Sequence, residues 1–350
     1  MTSSRLANTP ISVLDLAPIR QGGTTAEAFR NTLDLAQHAE RWGYNRFWLA
    51  EHHNIPGIAC SGTSVLIGYV AAATSTIRVG SGGIMLPNHA ALAIAEQFGT
   101  LETLYPSRID LGLGRAPGGD YAVIRAFHRD LRSGGDDFPQ QLQELRSLLA
   151  PARSGQSLQA IPGAGTNVPI YLLGSSDFSA RLAAQLGLPF AFAGHFQPDG
   201  MLTALEIYRE NFQPSEALQQ PYSMAGVPVL AAETDREAHR LATTIQQKFL
   251  NLIRNQPGPS MPPVDSMEGR WNAFEEAAVT SKLRAAIIGS PETVREGLEL
   301  FLAQTKVNEL ILATDTYDYQ DRLRSYEIVA EIARSADKST EPEELLTAKL

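Results

Sequence analysis

The chain has 350 residues, of which 43% are hydrophobic and 19% charged, so it can bury a large core and is not disordered throughout. Acidic residues outnumber basic ones by 38 to 29, and the net charge of −9 disfavours nucleic acid and anionic lipid surfaces as partners. Cys60 is the only cysteine, which excludes an intramolecular disulfide and predicts a reducing compartment.

No targeting or membrane segment is visible in the sequence. The first ten residues lack the charged-then-apolar order of a signal peptide, and no apolar run approaches the roughly 18 residues that a membrane helix needs. We therefore expect a cytoplasmic protein.

Short apolar runs alternate with amphipathic stretches along the chain. The runs predict strands over 11–16, 44–50, 77–86, 108–113, 168–173, 189–193, 224–231 and 309–313. Most are apolar almost throughout, which is typical of parallel strands buried on both faces. The stretches between them predict helices over 25–42, 62–74, 90–105, 139–149, 176–186, 199–212, 235–252 and 291–304.

Eight strands and eight helices favour a closed (β/α)₈ TIM barrel over an open doubly wound sheet. We expect one domain over residues 8–335, followed by a polar tail over 336–350. Two long connections, 114–137 and 255–270, interrupt the alternation. The first leaves a strand end, so it should lie on the C-terminal face, where barrel active sites form. The second follows a helix, so the sequence does not determine at which end of the barrel it lies. It could serve as a lid.

Two histidines follow the second strand in Glu51-His52-His53-Asn54. Imidazole titrates near neutral pH, so one of them is a candidate general acid or base. Successive strand residues point to opposite faces, so only one can face the lumen squarely. A hydrogen-bonded loop histidine is the alternative. A metal site is less supported, because the chain has no His-x-His pair and no His-Glu-x-x-His motif.

The third and fourth strands end in glycines. Ser81-Gly82-Gly83 offers a bare wall for a flat ring, or forms a simple bulge. The segment GLGRAPG at 112–118 only superficially resembles a dinucleotide fingerprint, because Pro117 occupies the third glycine position and no helix begins there. Arg115 is better interpreted as an anion contact, with a surface salt bridge as the alternative.

The segment Gly174-Ser175-Ser176-Asp177-Phe178-Ser179 closes the fifth strand and opens a helix. Free N–H groups, the helix dipole and the hydroxyl groups there form a candidate phosphate cradle. An ordinary serine N-cap is the alternative, and Asp177 would repel a phosphate unless its carboxylate points outward. Cys60 also precedes a helix, but a small buried apolar role is the simpler interpretation.

These motifs together resemble the luciferase-like monooxygenases, the bacterial luciferase superfamily, and especially its MsnO-type branch of flavin-dependent oxidoreductases. The resemblance rests on AEHHN at 50–54, RVGSGGIMLPNH at 78–89 and RIDLGLGRAPG at 108–118. It continues through LGSS at 173–176, GSPETV at 289–294 and RLRS at 322–325, and it covers roughly residues 10–335.

The resemblance implies a barrel that binds reduced FMN at its C-terminal mouth and uses O₂ to oxygenate a small organic substrate. His52 is similar to the family's active-site histidine. The ring would lie along Ser81, Gly82 and Gly83, where relatives carry a non-prolyl cis peptide at Gly82–Gly83. The phosphate would be held by the arginine and the cradle residues, namely Arg115, Gly174, Ser175, Ser176 and Ser179.

The chain also departs from its relatives. Gly119 stands where this branch usually has threonine, so the substrate cannot be inferred from relatives. Gly114 replaces the reactive cysteine of bacterial luciferase, so nothing supports light emission. No nicotinamide fingerprint is present, which predicts a separate flavin reductase, and relatives suggest a homodimer. The alternatives are a deazaflavin-dependent hydride transfer on the same fold, a non-catalytic flavin-binding barrel and, last, a metal-dependent hydrolase.

Overall fold

Eight parallel strands close into a barrel in the computed structural model, which describes residues 5–116, 118–127 and 137–338. The strands are β1 (Ile11–Asp15), β2 (Arg46–Leu49), β3 (Arg78–Met85), β4 (Ile109–Gly114), β5 (Ile170–Gly174), β6 (Phe190–Phe192), β7 (Ser223–Ala231), β8 (Ile287–Gly289) and β9 (Glu309–Ala313). Neighbours pair in chain order from β1 to β7, and β9 joins β7 to β1 and closes the ring. The short strand β8 pairs only with the end of β7 and is not one of the eight. The predicted (β/α)₈ barrel is therefore confirmed.

Helices surround the barrel and fill the connections between strands. They are α1 (Thr25–Trp42), α2 (Thr63–Ala72), α3 (Ala91–Leu104), α4 (Tyr121–Ala126), α5 (Phe138–Leu149), α6 (Asp177–Leu186), α7 (Met201–Glu210), α8 (Asp235–Ile253), α9 (Ala273–Leu283), α10 (Pro291–Thr305) and α11 (Tyr319–Lys338). All eight predicted strands and all eight predicted helices occur within two residues of their expected bounds. Residues 339–350 of the expected polar tail lie outside the described residues.

The prediction missed the helix that completes the eighth unit. That helix is α11, whereas α8, α9, β8 and α10 all fill the connection between β7 and β9. The side of α11 that faces the barrel is partly polar, which weakened its apolar stripe. Arg322 donates to Asp15 at 2.8 Å, and the Ser325 hydroxyl accepts from the amide of Ala231.

Register partners on parallel strands point to the same side of a sheet, so the pairings identify the inner face of the barrel. At the N-terminal end, that face carries a buried charge network. Arg46 donates to Asp110 at 2.8 Å and to Glu309 at 2.9 Å, and Trp48 donates to Asp110 at 3.1 Å. Ser12 and Tyr222 also donate to Glu309. This polar plug closes the end of the barrel opposite the catalytic mouth of related folds.

Both long connections lie at the C-terminal ends of the strands. The amide of Ser260 donates to Ile19 and its carbonyl accepts from Gln21, just after β1. Its hydroxyl donates to Asp315, just after β9. In the 114–137 connection, the Gly118 carbonyl accepts from the amide of His53 at 2.8 Å. Residues 117 and 128–136 of that connection lie outside the described residues.

In the described part of the chain, no helix combines the length and apolar character required to cross a membrane.

Candidate active site at the barrel mouth

The carboxylate of Glu51 organises the segment after β2. It is buried and accepts hydrogen bonds from His53 at 2.9 Å, from His89 at 2.9 Å and from the amide of Met85 at 2.9 Å. Burial alone would raise the pKa of Glu51, but the hydrogen bonds from His89 and His53 lower it below its usual value. Glu51 is therefore an ionised anchor that holds the ring of His53.

His52 follows β2 by three residues, and its electrostatic neighbours include Lys248 and His195. Burial lowers the pKa of His52 below its ordinary value, and the positive charge of Lys248 lowers it further. The carbonyl of Gly118 opposes this shift. Lys248, on α8, forms an ion pair with Asp315 at the rim of the mouth. His52 is thus a neutral imidazole at neutral pH, able to accept a proton.

Gly82, on β3, has no side chain, and its neighbours on the inner face pack closely against its backbone. A Cβ built there would lie 2.7 Å from Leu14 Cδ1 and 3.1 Å from Trp48 Cβ, both residues on the inner face. The Gly82–Gly83 peptide bond is cis, as the resemblance implied. Ser81 is fully buried and donates its hydroxyl to the Gly112 carbonyl at 2.8 Å. That hydroxyl joins β3 to β4 and is therefore not available to a ligand.

Arg115, which directly follows β4, has no anionic partner in the part of the chain that the structure describes. Its Cζ lies 4.1 Å from the centre of the Phe178 ring, in the first turn of α6. It makes no ion pair or hydrogen bond with any described residue. The alternative interpretation, a surface salt bridge of Arg115, therefore finds no partner among the described residues. The stacking holds the guanidinium beside the start of α6 without neutralising it.

The N-terminus of α6 is also without a side-chain cap. Ser176 occupies the N-cap position with extended backbone, but its hydroxyl accepts no capping hydrogen bond. Thr24, Thr234 and Ser290, by contrast, do cap their helices. Asp177 is exposed and accepts from Arg181 at 3.3 Å, so its carboxylate is engaged along the helix. The amides at the start of α6 remain available to an anion.

Gly174 and Ser179 form the back of this cradle. A Cβ built at Gly174 would lie 2.4 Å from the Ser179 hydroxyl, so the glycine leaves room for that side chain. Ser179 is buried in the first turn of α6. The fold therefore brings Arg115, Gly174 and Ser176 to adjoining ends of β4 and β5, where the sequence placed them.

Two further residues at the mouth were not identified from the sequence. The first is Lys248, whose position on α8 no strand-end pattern could indicate. The second is His195, which follows β6 in Gly194-His195-Phe196. The position of His195 shortly after a strand end is the signal in the sequence that could have identified it. Burial and then the proximity of His52 lower the pKa of His195 to about 4.

The geometry of the described residues supports neither a reactive thiol at Cys60 nor a metal site. Burial raises the pKa of the Cys60 thiol well above its ordinary value, and the charge of Asp15 adds to this. The thiol is therefore neutral and inert at physiological pH. No group of three His, Cys, Asp or Glu side chains within residues 5–116, 118–127 and 137–338 is arranged to hold a metal ion.

The sequence profile described as luciferase-like monooxygenase matches residues 9–309. The chain belongs to this family. A luciferase-like monooxygenase of Escherichia coli K12 is 47% identical over 332 residues, which cover 95% of this chain and 98% of the relative. The crystal structure of apo-MsnO8 superposes with a TM-score of 0.84 at 35% identity, and covers 93% of this chain and 98% of that one.

More distant structures share the luciferase-like fold. The oxygenating constituent of 3,6-diketocamphane monooxygenase from Pseudomonas putida, solved with FMN, has a TM-score of 0.72 at 18% identity and covers 93% of this chain and 98% of its own. An F420-dependent secondary alcohol dehydrogenase has a TM-score of 0.69 at 14% identity, with coverage of 93% and 99%. At such identities the likeness shows the fold alone.

A flavin nucleotide fits the luciferase-like site in this chain. An arginine with no anionic partner among the described residues, beside an uncapped helix start, suits a phosphate monoester. The backbone of Gly82 and Gly83, which carries no side chains, suits a flat ring. The residues present therefore have the donor chemistry that such a group requires.

Proposed function

We propose that this protein is an FMN-dependent monooxygenase that oxygenates a small organic substrate. The observation that carries the proposal is the cation of Arg115, stacked on Phe178 beside the uncapped start of α6. A guanidinium can hold phosphate through two parallel hydrogen bonds, and the hydroxyls of Ser175, Ser176 and Ser179 would add donors. We propose that the ring lies against the backbone of Ser81, Gly82 and Gly83.

Bound reduced FMN would supply the electrons that activate O₂ for oxygen transfer. The protein would supply position, a water-poor pocket and a proton-transferring group. We propose that His52 is that group, because it follows the C-terminal end of β2 and its lowered pKa keeps it neutral and able to accept a proton. Glu51 holds the neighbouring His53 and the amide of Met85, and so fixes the segment that carries His52.

We also propose that a separate reductase delivers the reduced flavin and that the protein acts as a homodimer. The first proposal rests on the missing nicotinamide fingerprint. The dimer follows from the resemblance to relatives. The 255–270 segment, fixed at Ser260 to both β1 and β9 ends, is proposed to cover the mouth.

The proposal is tested by anaerobic titration of the purified protein with reduced FMN, reduced riboflavin and a reduced deazaflavin coenzyme. We expect FMN to bind at micromolar concentration, and riboflavin at least tenfold more weakly because it has no phosphate to engage Arg115. Admission of air should then give O₂ consumption with FMN only. Absence of FMN binding at high micromolar concentration would defeat the proposal, and preferential deazaflavin binding would replace it with hydride transfer.

A further inference from the structure

His195 and His52 stand on opposite walls of the barrel. The eight-stranded ring places β6, which precedes His195, four strands away from β2, which precedes His52. Gly226, on β7, is the register partner of Ile311, two residues beyond the inward-facing Glu309. A Cβ built at Gly226 would lie 2.4 Å from Nδ1 of His195. The imidazole of His195 therefore rests on the inner wall, in space that exists because residue 226 has no side chain.

The His195 ring has no hydrogen-bond partner among the described residues. Its Nδ1 is buried and accepts or donates no hydrogen bond, and no described residue bonds to Nε2. Nδ1, then Cε1 and Cγ, are the ring atoms nearest a Cβ built at Gly226, so Nε2 lies on the edge of the ring that faces away from β7. A proton on Nδ1 would bury an N–H group without an acceptor, which is costly. The favoured tautomer carries its proton on Nε2, directed to the lumen.

The order of the strands around the barrel also indicates what would lie in front of this N–H group. Gly82 belongs to β3, and β7 is four strands away on the opposite side. A flat ring against Gly82 would present its uncovered face to β7 and to the imidazole that rests there. The space between that face and His195 is where a substrate must lie to react with the ring.

We infer that His195 is a substrate-binding residue whose Nε2–H group donates a hydrogen bond to a neutral, carbonyl-type oxygen of the substrate. The inference rests on the proposed function, because the flavin position defines the substrate space. The lowered pKa of His195 leaves its ring uncharged at neutral pH, and an uncharged donor suits an uncharged acceptor. The substrate class is thus a small molecule that carries a carbonyl or a similar oxygen acceptor.

The first test is the tautomer of His195, which needs no ligand. Nitrogen NMR of histidine-labelled protein at pH 7, assigned with His195→Gln, should show an unprotonated Nδ1 and a protonated Nε2. A protonated Nδ1, or a doubly protonated ring, would overturn the inference.

The second test uses matched probes on protein loaded with oxidised FMN, so that no turnover occurs. The probes are cyclohexanone and methylenecyclohexane, and 2-butanone and 2-methyl-1-butene, whose members differ by an oxygen in place of a CH₂ group. Affinities are measured by ligand-observed NMR. The ketone-to-alkene affinity ratio should fall about three- to tenfold in His195→Phe, which corresponds to one hydrogen bond. It should remain within about twofold of wild type in His195→Gln, which keeps a donor.

The outcomes separate the two proposals. Failure of the wild-type protein to bind reduced FMN defeats the proposed function, whereas the tautomer measurement still stands. FMN binding that is retained in wild type and His195→Phe, with an unchanged ketone-to-alkene ratio, defeats only the role of His195. Failure of all four probes to bind the FMN-loaded protein at tens of millimolar counts against that role as well.

Discussion

Arg115 and Phe178 join the end of β4 to the start of α6, with the guanidinium carbon 4.1 Å above the aromatic ring. This contact orients a cation without pairing it with an anion. The neighbouring N-cap serine leaves the helix start uncapped. The pair therefore preorganises an anion site, which lowers the cost of ordering the arginine when a phosphate binds.

Replacement of Arg115 by alanine should weaken FMN binding. Each charge-assisted hydrogen bond contributes about 1.5–3 kcal/mol, so loss of one or two predicts a dissociation constant at least about tenfold higher. Titration followed by flavin fluorescence measures the change. Riboflavin is the matched control ligand, and its affinity should be the same in Arg115→Ala and wild type. An equal loss for both ligands would show that the arginine acts on the ring or the fold and not on the phosphate.

A side chain at Gly82 should block the proposed ring position. In Gly82→Val, even the Cβ would lie 2.7 Å from Leu14 Cδ1, and the valine would push the Leu14 and Trp48 side chains out of their places on the inner face. We expect binding of FMN and riboflavin to fall together by more than tenfold, in contrast to the phosphate-selective effect of Arg115→Ala. Gly62→Ala is the control, because no atom lies within 4 Å of a Cβ at that position. Unchanged flavin affinity in Gly82→Val would place the ring elsewhere.

The sequence predicted the strands well because each one is buried on both faces and therefore apolar. The glycines and serines at the ends of β3, β4 and β5 were also visible, since parallel strands bring their ends to one mouth. Glu51 belongs to a motif visible in the sequence, but its contacts with His53, His89 and Met85 depend on tertiary packing. The last helix was missed for a related reason, because Arg322 and Ser325 place polar groups on its inner side.

The buried network at the N-terminal end of the barrel should contribute strongly to stability. Asp110 accepts from Arg46, Arg78 and Trp48, and it is fully buried. Removal of one partner from a buried ion pair leaves an uncompensated charge and costs about 3–5 kcal/mol. We expect Asp110→Ala to lower the free energy of unfolding by about that amount, measured by urea denaturation. Glu331→Ala, which removes an exposed pair with Arg324, is the control and should cost less than about 1 kcal/mol.

The Lys248–Asp315 pair should set the protonation of His52. Burial and the Lys248 charge hold the pKa of His52 below its ordinary value of 6.5. Lys248→Met removes the positive charge and leaves Asp315 unpaired, so both effects should raise the His52 pKa toward 6.5. Proton NMR titration of the histidine ring signals, assigned with His52→Gln, measures the shift. Lys306→Met is the control, because residue 306 precedes β9 at the other end of the barrel.

The same substitution has a defined effect on acid stability. In the wild type the folded pKa of His52 lies below the unfolded one, so the unfolded chain binds more protons as pH falls below 6.5. The free energy of unfolding therefore decreases from pH 6.5 down to the folded pKa of His52. Lys248→Met narrows the difference between the folded and unfolded pKa values of His52. The free energy of unfolding of this variant should therefore decrease less over that pH range than the free energy of unfolding of the wild type. A His52 pKa that stays unchanged in Lys248→Met would show that burial alone keeps the imidazole neutral, and that the ion pair has no part in tuning the proposed proton acceptor.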